Sequence, residues 1–285
     1  MRRPSFLWHY TDINGLLGIV REGVLRFSDA RFLNDRTEQA YGRDVIKKVL
    51  AEEARAVAEM YPGKDELPTI LTLAQGMLDP GALGSRLYLC SLTEEPDSIS
   101  QWQRYGADGR GYCLGFQSGK LTFDRSVGLV KMVYAPSHQR QLLGTHIHQF
   151  IRALLAGRYD GLLARFASKN RTPHTAALLA MAIEPLALRL KNPKFKDERE
   201  WRLIVTIDAK ESIDERVEFA ARDNYPKPYV PMRLLDPGSK LPIRAVVCGP
   251  RLESVLARSA VHHLVGAAGY IDTHVQMSDL TSTWR

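Results

Sequence analysis

Apolar positions along the chain follow two periods, and the switch between them marks out the elements. Phe6 to His9 reads as a short strand. Thr11 is placed to cap a following helix that carries Ile13, Leu16, Leu17, Ile19 and Val20 and stops at Gly23. Val24 to Ser28 reads as the next strand. Glu38 to Met60 then carries Val45, Ile46, Val49, Leu50, Ala54 and Val57 at helical spacing, and a second helix spans Leu67 to Leu78 before Asp79-Pro80-Gly81. A block of short strands and turns follows, with strands at Arg86 to Leu92, Gly111 to Phe116 and Leu129 to Tyr134, and a helix from Asp97 to Tyr105. Residues 137–192 change character: they are rich in Leu and Ala with little β-branching, which predicts a mainly helical insertion. Strand patterns resume at Trp201 to Ile207, Val217 to Ala220, Tyr229 to Leu234 and Arg244 to Cys248. Gly249-Pro250 turns the chain into a helix over Leu252 to Val265, and a last strand lies near Ile271 to Gln276. The pattern predicts an α+β fold formed by one domain over 1–285, with 137–192 inserted in it.

Composition narrows this picture only slightly. With 285 residues, 45% of them apolar, the chain can bury a substantial core. A net charge of +7 suits phosphorylated partners and permits nucleic acid without forming a long basic tract. Cys90, Cys113 and Cys248 each lie in an apolar strand-like run, so they read as buried free thiols of a reducing compartment. No signal-peptide pattern and no membrane-length apolar run is present, so the expected location is the cytoplasm, with no membrane partner.

Three segments concentrate the chemistry. In Trp8-His9-Tyr10-Thr11, His9 closes a strand at a helix start, where a neutral imidazole can donate to a ribose hydroxyl while the backbone of Tyr10 and Thr11 meets a carboxamide. In Ser100-Gln101-Trp102-Gln103-Arg104-Tyr105, Asp97 is the expected helix cap and Trp102 a core residue, whereas Tyr105 ends the helix, where its ring can stack on a planar heterocycle. In Glu198-Arg199-Glu200-Trp201-Arg202, an extended chain would put Glu198, Glu200 and Arg202 on one face at the mouth of a buried strand. A carboxylate there can hold a ribose 2′-hydroxyl and oppose positive charge growing at an anomeric carbon. Asn34, in a polar turn, reads as a helix cap or a ligand contact, and Arg110 and Arg202 are candidates for a pyrophosphate. His146 and His148, like His262 and His263, lack zinc-ligand spacing, so no metal is expected. Nucleophile-elbow, Walker and dinucleotide glycine motifs are absent.

Taken together, Leu7-Trp8-His9-Tyr10-Thr11, Arg31-Phe32-Leu33-Asn34-Asp35, Ser100-Gln101-Trp102 with Tyr105-Gly106, Phe195 with Glu198-x-Glu200-Trp201-Arg202-Leu203, and Val247-Cys248-Gly249-Pro250 resemble an uncharacterised bacterial family, a domain of unknown function similar to distant ADP-ribosyltransferases of the His-Tyr-Glu type. The resemblance implies a split β-sheet around an NAD cleft. It gives His9 the orientation of the NAD ribose, Tyr105 the stacking on nicotinamide, and Glu200 the ribose 2′-hydroxyl, with Glu198 a rival for that place. The second motif departs from the family's usual serine and small-residue run. The reading is an NAD-dependent ADP-ribosyltransferase or NAD glycohydrolase, of a toxin-like or phage-defence kind, with NAD as substrate and a protein or nucleic acid as acceptor. The alternative is a non-catalytic nucleotide- or nucleic-acid-binding module on the same fold.

Overall fold

A computed structural model describes residues 3–32, 37–78, 85–166, 171–208, 216–222, 225–236 and 238–282. Ten strands run in the order β1 (Phe6–Thr11), β2 (Leu25–Asp29), β3 (Ser85–Thr93), β4 (Tyr112–Gln117), β5 (Val127–Lys131), β6 (Glu200–Asp208), β7 (Glu218–Arg222), β8 (Tyr225–Met232), β9 (Ile243–Cys248) and β10 (His274–Met277). Between them lie the helices α1 (Ile13–Glu22), α2 (Thr37–Met60), α3 (Glu66–Gly76), α4 (Ile99–Tyr105), α5 (Pro136–Leu155), α6 (Asp160–Leu163), α7 (Arg171–Ile183) and α8 (Ser254–Ala267). The fold is α+β with a mixed sheet, antiparallel except where β10 runs parallel to β9.

The sheet has two wings. In one, β10, β9, β4 and β1 lie side by side, and β1 pairs with β4 over its full length from Phe6↔Gln117 to Thr11↔Tyr112. In the other, β3 is the hub: it pairs with β6 from Ser85↔Asp208 to Thr93↔Glu200 and with β2 at Leu89 and Tyr88, and β2 continues to β8 and β7. The wings are joined where β1 meets β3 at one register, Trp8↔Thr93. Beyond that pair the two strands part.

Two cores flank this sheet. One unites both wings with α1 and α8 through residues such as Leu7, Phe27, Tyr88, Leu114, Leu203 and Val261. The other is helical. The stretch 137–192 does not pack alone: Leu143, Ile147 and Phe150 of α5 and Leu179 and Ile183 of α7 share a core with Ile46, Leu50 and Val57 of α2 and Leu67 and Leu71 of α3. Close approach sets the contact of α2 with the 184–189 turn, because a Cβ at Gly42 would stand 2.4 Å from the Ala187 carbonyl oxygen. No helix among the described residues is long and apolar enough to cross a membrane.

Two local expectations are corrected. Thr11 is the last residue of β1 and its backbone is committed to that ladder, so the cap of α1 is Asp12, whose Oδ1 accepts from the Gly15 amide at 2.8 Å. Gly23 closes the helix in the left-handed region at φ 67°, as its sequence position suggests. Asp97 does not cap α4, where Ser98 takes that place. Its carboxylate accepts instead from Trp102 Nε1 at 2.6 Å, Ser278 Oγ at 2.7 Å and the Asp279 amide at 2.8 Å, tying the buried indole to the C-terminal segment.

Cys90, Cys113 and Cys248 are free and buried in β3, β4 and β9. Burial pushes the Cys90 thiol up to about 12 and the Cys248 thiol to about 11, and raises Cys113 as well. A thiol-reactive disulfide reagent at pH 8 will therefore leave all three unmodified in the native protein over minutes and label three per chain in denaturant. Rapid native labelling of any one would contradict this packing.

Candidate functional site

The site begins at the parting of β1 and β3. The residue after the Trp8↔Thr93 pair is His9, and its ring replaces the missing strand contact: Nδ1 lies 2.8 Å from the Ser91 carbonyl oxygen. A carbonyl accepts only, so Nδ1 carries the hydrogen. Burial lowers the His9 pKa, the ring is neutral, and Nε2 is left as an acceptor. The expected role of the imidazole as a donor to a ribose hydroxyl is thereby inverted. Trp8 flanks it, its ring lying over Gly115 so closely that a Cβ there would stand 2.6 Å from it.

Helix α4 supplies the facing wall. Tyr10 and Trp102 meet edge to face at 4.8 Å, and the Tyr10 hydroxyl donates to the Glu95 carbonyl and accepts from the Ser98 amide, which fixes the start of α4 against β1. Gln101 and Tyr105, four residues apart, then share the helix face turned to His9. Tyr105 is half-buried. Its hydroxyl is pushed up to about 12, first by burial and then by the charge of Glu198. Gln101 is 6% exposed, and no group among the described residues hydrogen-bonds its side-chain amide. Such an amide at a cavity wall leaves two donors and an acceptor for whatever enters.

The floor is a buried ion network. Glu198 and Glu200 do not follow one another along a strand as the sequence suggests: Glu198 ends a 3-10 turn over Pro193–Glu198, Arg199 turns left-handed at φ 41°, and β6 begins at Glu200. That kink costs a non-glycine residue about 1 kcal/mol or more. It is gripped by Thr93, whose hydroxyl donates to the Glu198 carbonyl at 2.6 Å, and by an Arg199–Glu95 pair at 2.6 Å. Both carboxylates consequently reach Lys191 Nζ, each at 2.5 Å. Arg202 clasps Glu200 through Nε at 2.7 Å and Nη2 at 3.0 Å, also donates to Glu38 of α2, and gives Nη1 to the Leu188 carbonyl. Arg104 closes the network on Glu198 at 2.6 Å. Burial drives the Glu200 carboxyl up, but the Arg202 guanidinium and Lys191 ammonium outweigh it and hold the pKa at about 2. Glu38, whose burial counts for more than its cations, is raised instead.

His9, Tyr10, Gln101, Tyr105, Glu198 and Glu200 all line one cavity of about 70 Å³. Thr11, Arg110 and Arg202 do not line it. Arg110 is exposed on the loop after α4, and all three guanidinium nitrogens of Arg202 donate to protein groups, so neither is presented to a pyrophosphate in this cavity. Asn34 lies outside the described residues. Two wider grooves, about 640 and 480 Å³, run along the 234–241 loop, and none of these cavity residues lines them. Among the described residues no group of three or more His, Cys, Asp or Glu is placed to hold a metal ion.

Residues 101–203 match the model of a family described as a protein of unknown function, DUF2971. The matched stretch starts at Gln101 and ends at Leu203, so it contains α4 from Gln101 onward, the helical stretch 137–192, Lys191 and both carboxylates, while His9 lies outside it. No curated protein and no solved structure matches the chain.

Sequence reading missed Gln101, Lys191 and Glu38. Gln101 could have been found from its spacing to Tyr105; Lys191 and Glu38 carry no local signal. Each carboxylate keeps capacity to accept further hydrogen bonds, since an ionised carboxylate has about four acceptor positions. Glu200 accepts three from Lys191 and Arg202, and Glu198 two from Arg104 and Lys191. Lys191→Met would leave two carboxylates facing each other without their shared cation, and should cost about 3–5 kcal/mol in urea unfolding at pH 7. The Glu200 contribution is complete above its ordinary value of 4.5 and drains as pH falls toward about 2. In the variant this loss should begin at higher pH, and Lys191→Met/Glu198→Gln should recover part of the stability. Equal unfolding curves for wild type and Lys191→Met would refute the network.

Proposed function

We propose that the cavity takes the nicotinamide end of NAD and that the protein cleaves the nicotinamide glycoside, as an ADP-ribosyltransferase or NAD glycohydrolase. The observation that carries this reading is the convergence, at the parting of two sheet wings, of an imidazole held as an acceptor, an aromatic ring and ionised carboxylates. A sheet that splits beside the strand bearing His9 also fits the ADP-ribosyltransferase-like core that the motifs resemble. The cavity is far smaller than the roughly 300–1,000 Å³ that encloses a whole drug-sized ligand, so the rest of NAD would lie outside it.

In this reading Tyr105 stacks on the nicotinamide ring, the Gln101 amide meets its carboxamide, and His9 Nε2 accepts a ribose hydroxyl. Glu200, ionised at neutral pH, accepts the 2′-hydroxyl of the nicotinamide ribose; Glu198 is its rival. The C1′–N bond breaks with both electrons leaving on neutral nicotinamide. The oxocarbenium ion is opposed by the carboxylates until water or an acceptor nucleophile adds at C1′ and loses a proton. Three buried thiols suit a reducing compartment, and an intracellular effector of a toxin-like or defence kind fits that setting.

One observation favours the second reading, a nucleotide-binding module without catalysis. Both carboxylates already sit in a network with as many cations as anions, which weakens the field either could exert on a growing positive charge. Nicotinamide release from NAD, followed chromatographically with and without cell lysate, separates the two. Wild type should release nicotinamide, Glu200→Gln should lose about 10²-fold or more of turnover while retaining most NAD affinity, and Tyr105→Ala should weaken NAD binding. NAD binding without release under any condition would install the module reading, and full activity in folded Glu200→Gln would remove the carboxylate's role.

A further inference from the structure

The positive charge of the chain is concentrated in one place. Residues 137–192 hold eight Lys and Arg against Asp160 and Glu184, a net +6 within a chain whose total is +7. Two of the eight lie away from the surface layer: Arg189 is half-buried, and Lys191 is buried in the ion network. Among the described residues, Arg140, Arg152, Arg158, Arg165 and Arg171 are exposed on the helical layer, the last four of them near its tip, where α5 ends, α6 crosses and α7 begins. Contacts show that this tip is one locality. Arg171 reaches Asp160 at 3.1 Å across the α6–α7 connection, and the Phe166 ring stacks on His174 of α7 with centroids 3.5 Å apart.

Two features of the tip bear on what it could bind. Among the described residues no carboxylate lies within ion-pair distance of Arg158 or Arg165, whereas Arg140, at the far end of α5, is matched by Glu52 of α2. Phe166, 36% exposed, lies in the same locality as these charges and keeps part of its ring open to solvent. Guanidinium forks suit phosphate oxygens, and an exposed aromatic stack offers a face to any base. A lipid headgroup or an acidic peptide would use the charges but not the ring stack.

We propose that the α5–α7 tip binds single-stranded nucleic acid, with Arg158 and Arg165 on the backbone phosphates and the Phe166–His174 stack under a base. This surface uses none of the residues of the cavity at the sheet split, and the inference is independent of NAD chemistry.

Fluorescence anisotropy of the full chain with labelled 15-nucleotide RNA and DNA strands tests it. Wild type should bind at 50 mM salt, with affinity falling log-linearly as salt rises. Arg158→Glu/Arg165→Glu should lower affinity at least tenfold and flatten the salt slope by about 1.4, two single-strand phosphate contacts' worth. Phe166→Ala should weaken single strands roughly tenfold and duplexes much less. Unchanged thermal melting would show that both variants fold, and comparison of the two labelled strands tells RNA from DNA. Failure of wild type to bind either strand, unaltered affinity in the charge-reversal variant, or binding to phosphatidylserine vesicles in place of oligonucleotides would each overturn the proposal.

Discussion

The pairing of Lys191 with Glu198 and Glu200 is the interaction on which the rest of this architecture rests. Each group is almost wholly buried, so none could keep its charge alone; an uncompensated carboxylate there would neutralise or open the core. Mutual satisfaction joins three parts of the molecule that no backbone ladder connects directly: the end of the helical stretch at Lys191, the head of the central strand β6, and α2 through the Glu38 bond to Arg202. Apolar packing of Leu188 with Ala30 and Leu89 closes the same joint from the side. The helical layer is therefore keyed to the sheet at a defined point, and a network of this kind specifies position more than it adds stability.

The parting of β1 from β3 lies beside that anchor, since Thr93 pairs with both Trp8 and Glu200. Strand β3 spends one edge entirely on β6 and shares the other between β2 and a single residue pair with β1. Where β1 leaves, a backbone carbonyl would be orphaned, and the His9 ring satisfies it at the cost of fixing its own tautomer. A structural duty and a chemical opportunity thus coincide in one residue: the nitrogen not used for the fold becomes the acceptor offered to the cavity. The same logic applies to α4, where Trp102 faces inward to Asp97 and Tyr10 while Gln101 and Tyr105 on the neighbouring stripe face the opening.

Element types and much of their extent were legible in the sequence because burial imposes period on it. The strand at Arg86 to Leu92 and the helix at Glu38 to Met60 fall within a residue or so of β3 and α2. Tyr105 and Glu200 could be singled out because each stands at the end of an apolar element, whereas His9, read as closing its strand, lies inside β1, which runs on to Thr11 because Tyr10 and Thr11 still pair with β4, and Glu198 sits in a polar run. Contacts between distant segments were not legible. Nothing local marks Lys191 as the counter-ion of Glu198 and Glu200, since it sits among Leu, Arg and Asn at the end of a helical stretch. The left-handed Arg199 breaks the alternation from which a shared strand face for Glu198, Glu200 and Arg202 was expected, and Arg202 turned out to be a network member, not a free fork. The helical character of 137–192 was visible as composition, but its core partners α2 and α3 lie some sixty or more residues upstream.

The claim that this cavity is a ligand site for the nicotinamide end of NAD is tested most directly by nuclear magnetic resonance of ¹⁵N-labelled protein titrated with nicotinamide. The account predicts that the His9 ring nitrogens and the Gln101 side-chain amide shift together and saturably, while groups lining the 234–241 grooves stay still. Resonances of His9 and Gln101 that do not move at any attainable nicotinamide concentration, or shifts confined to the grooves, would contradict it.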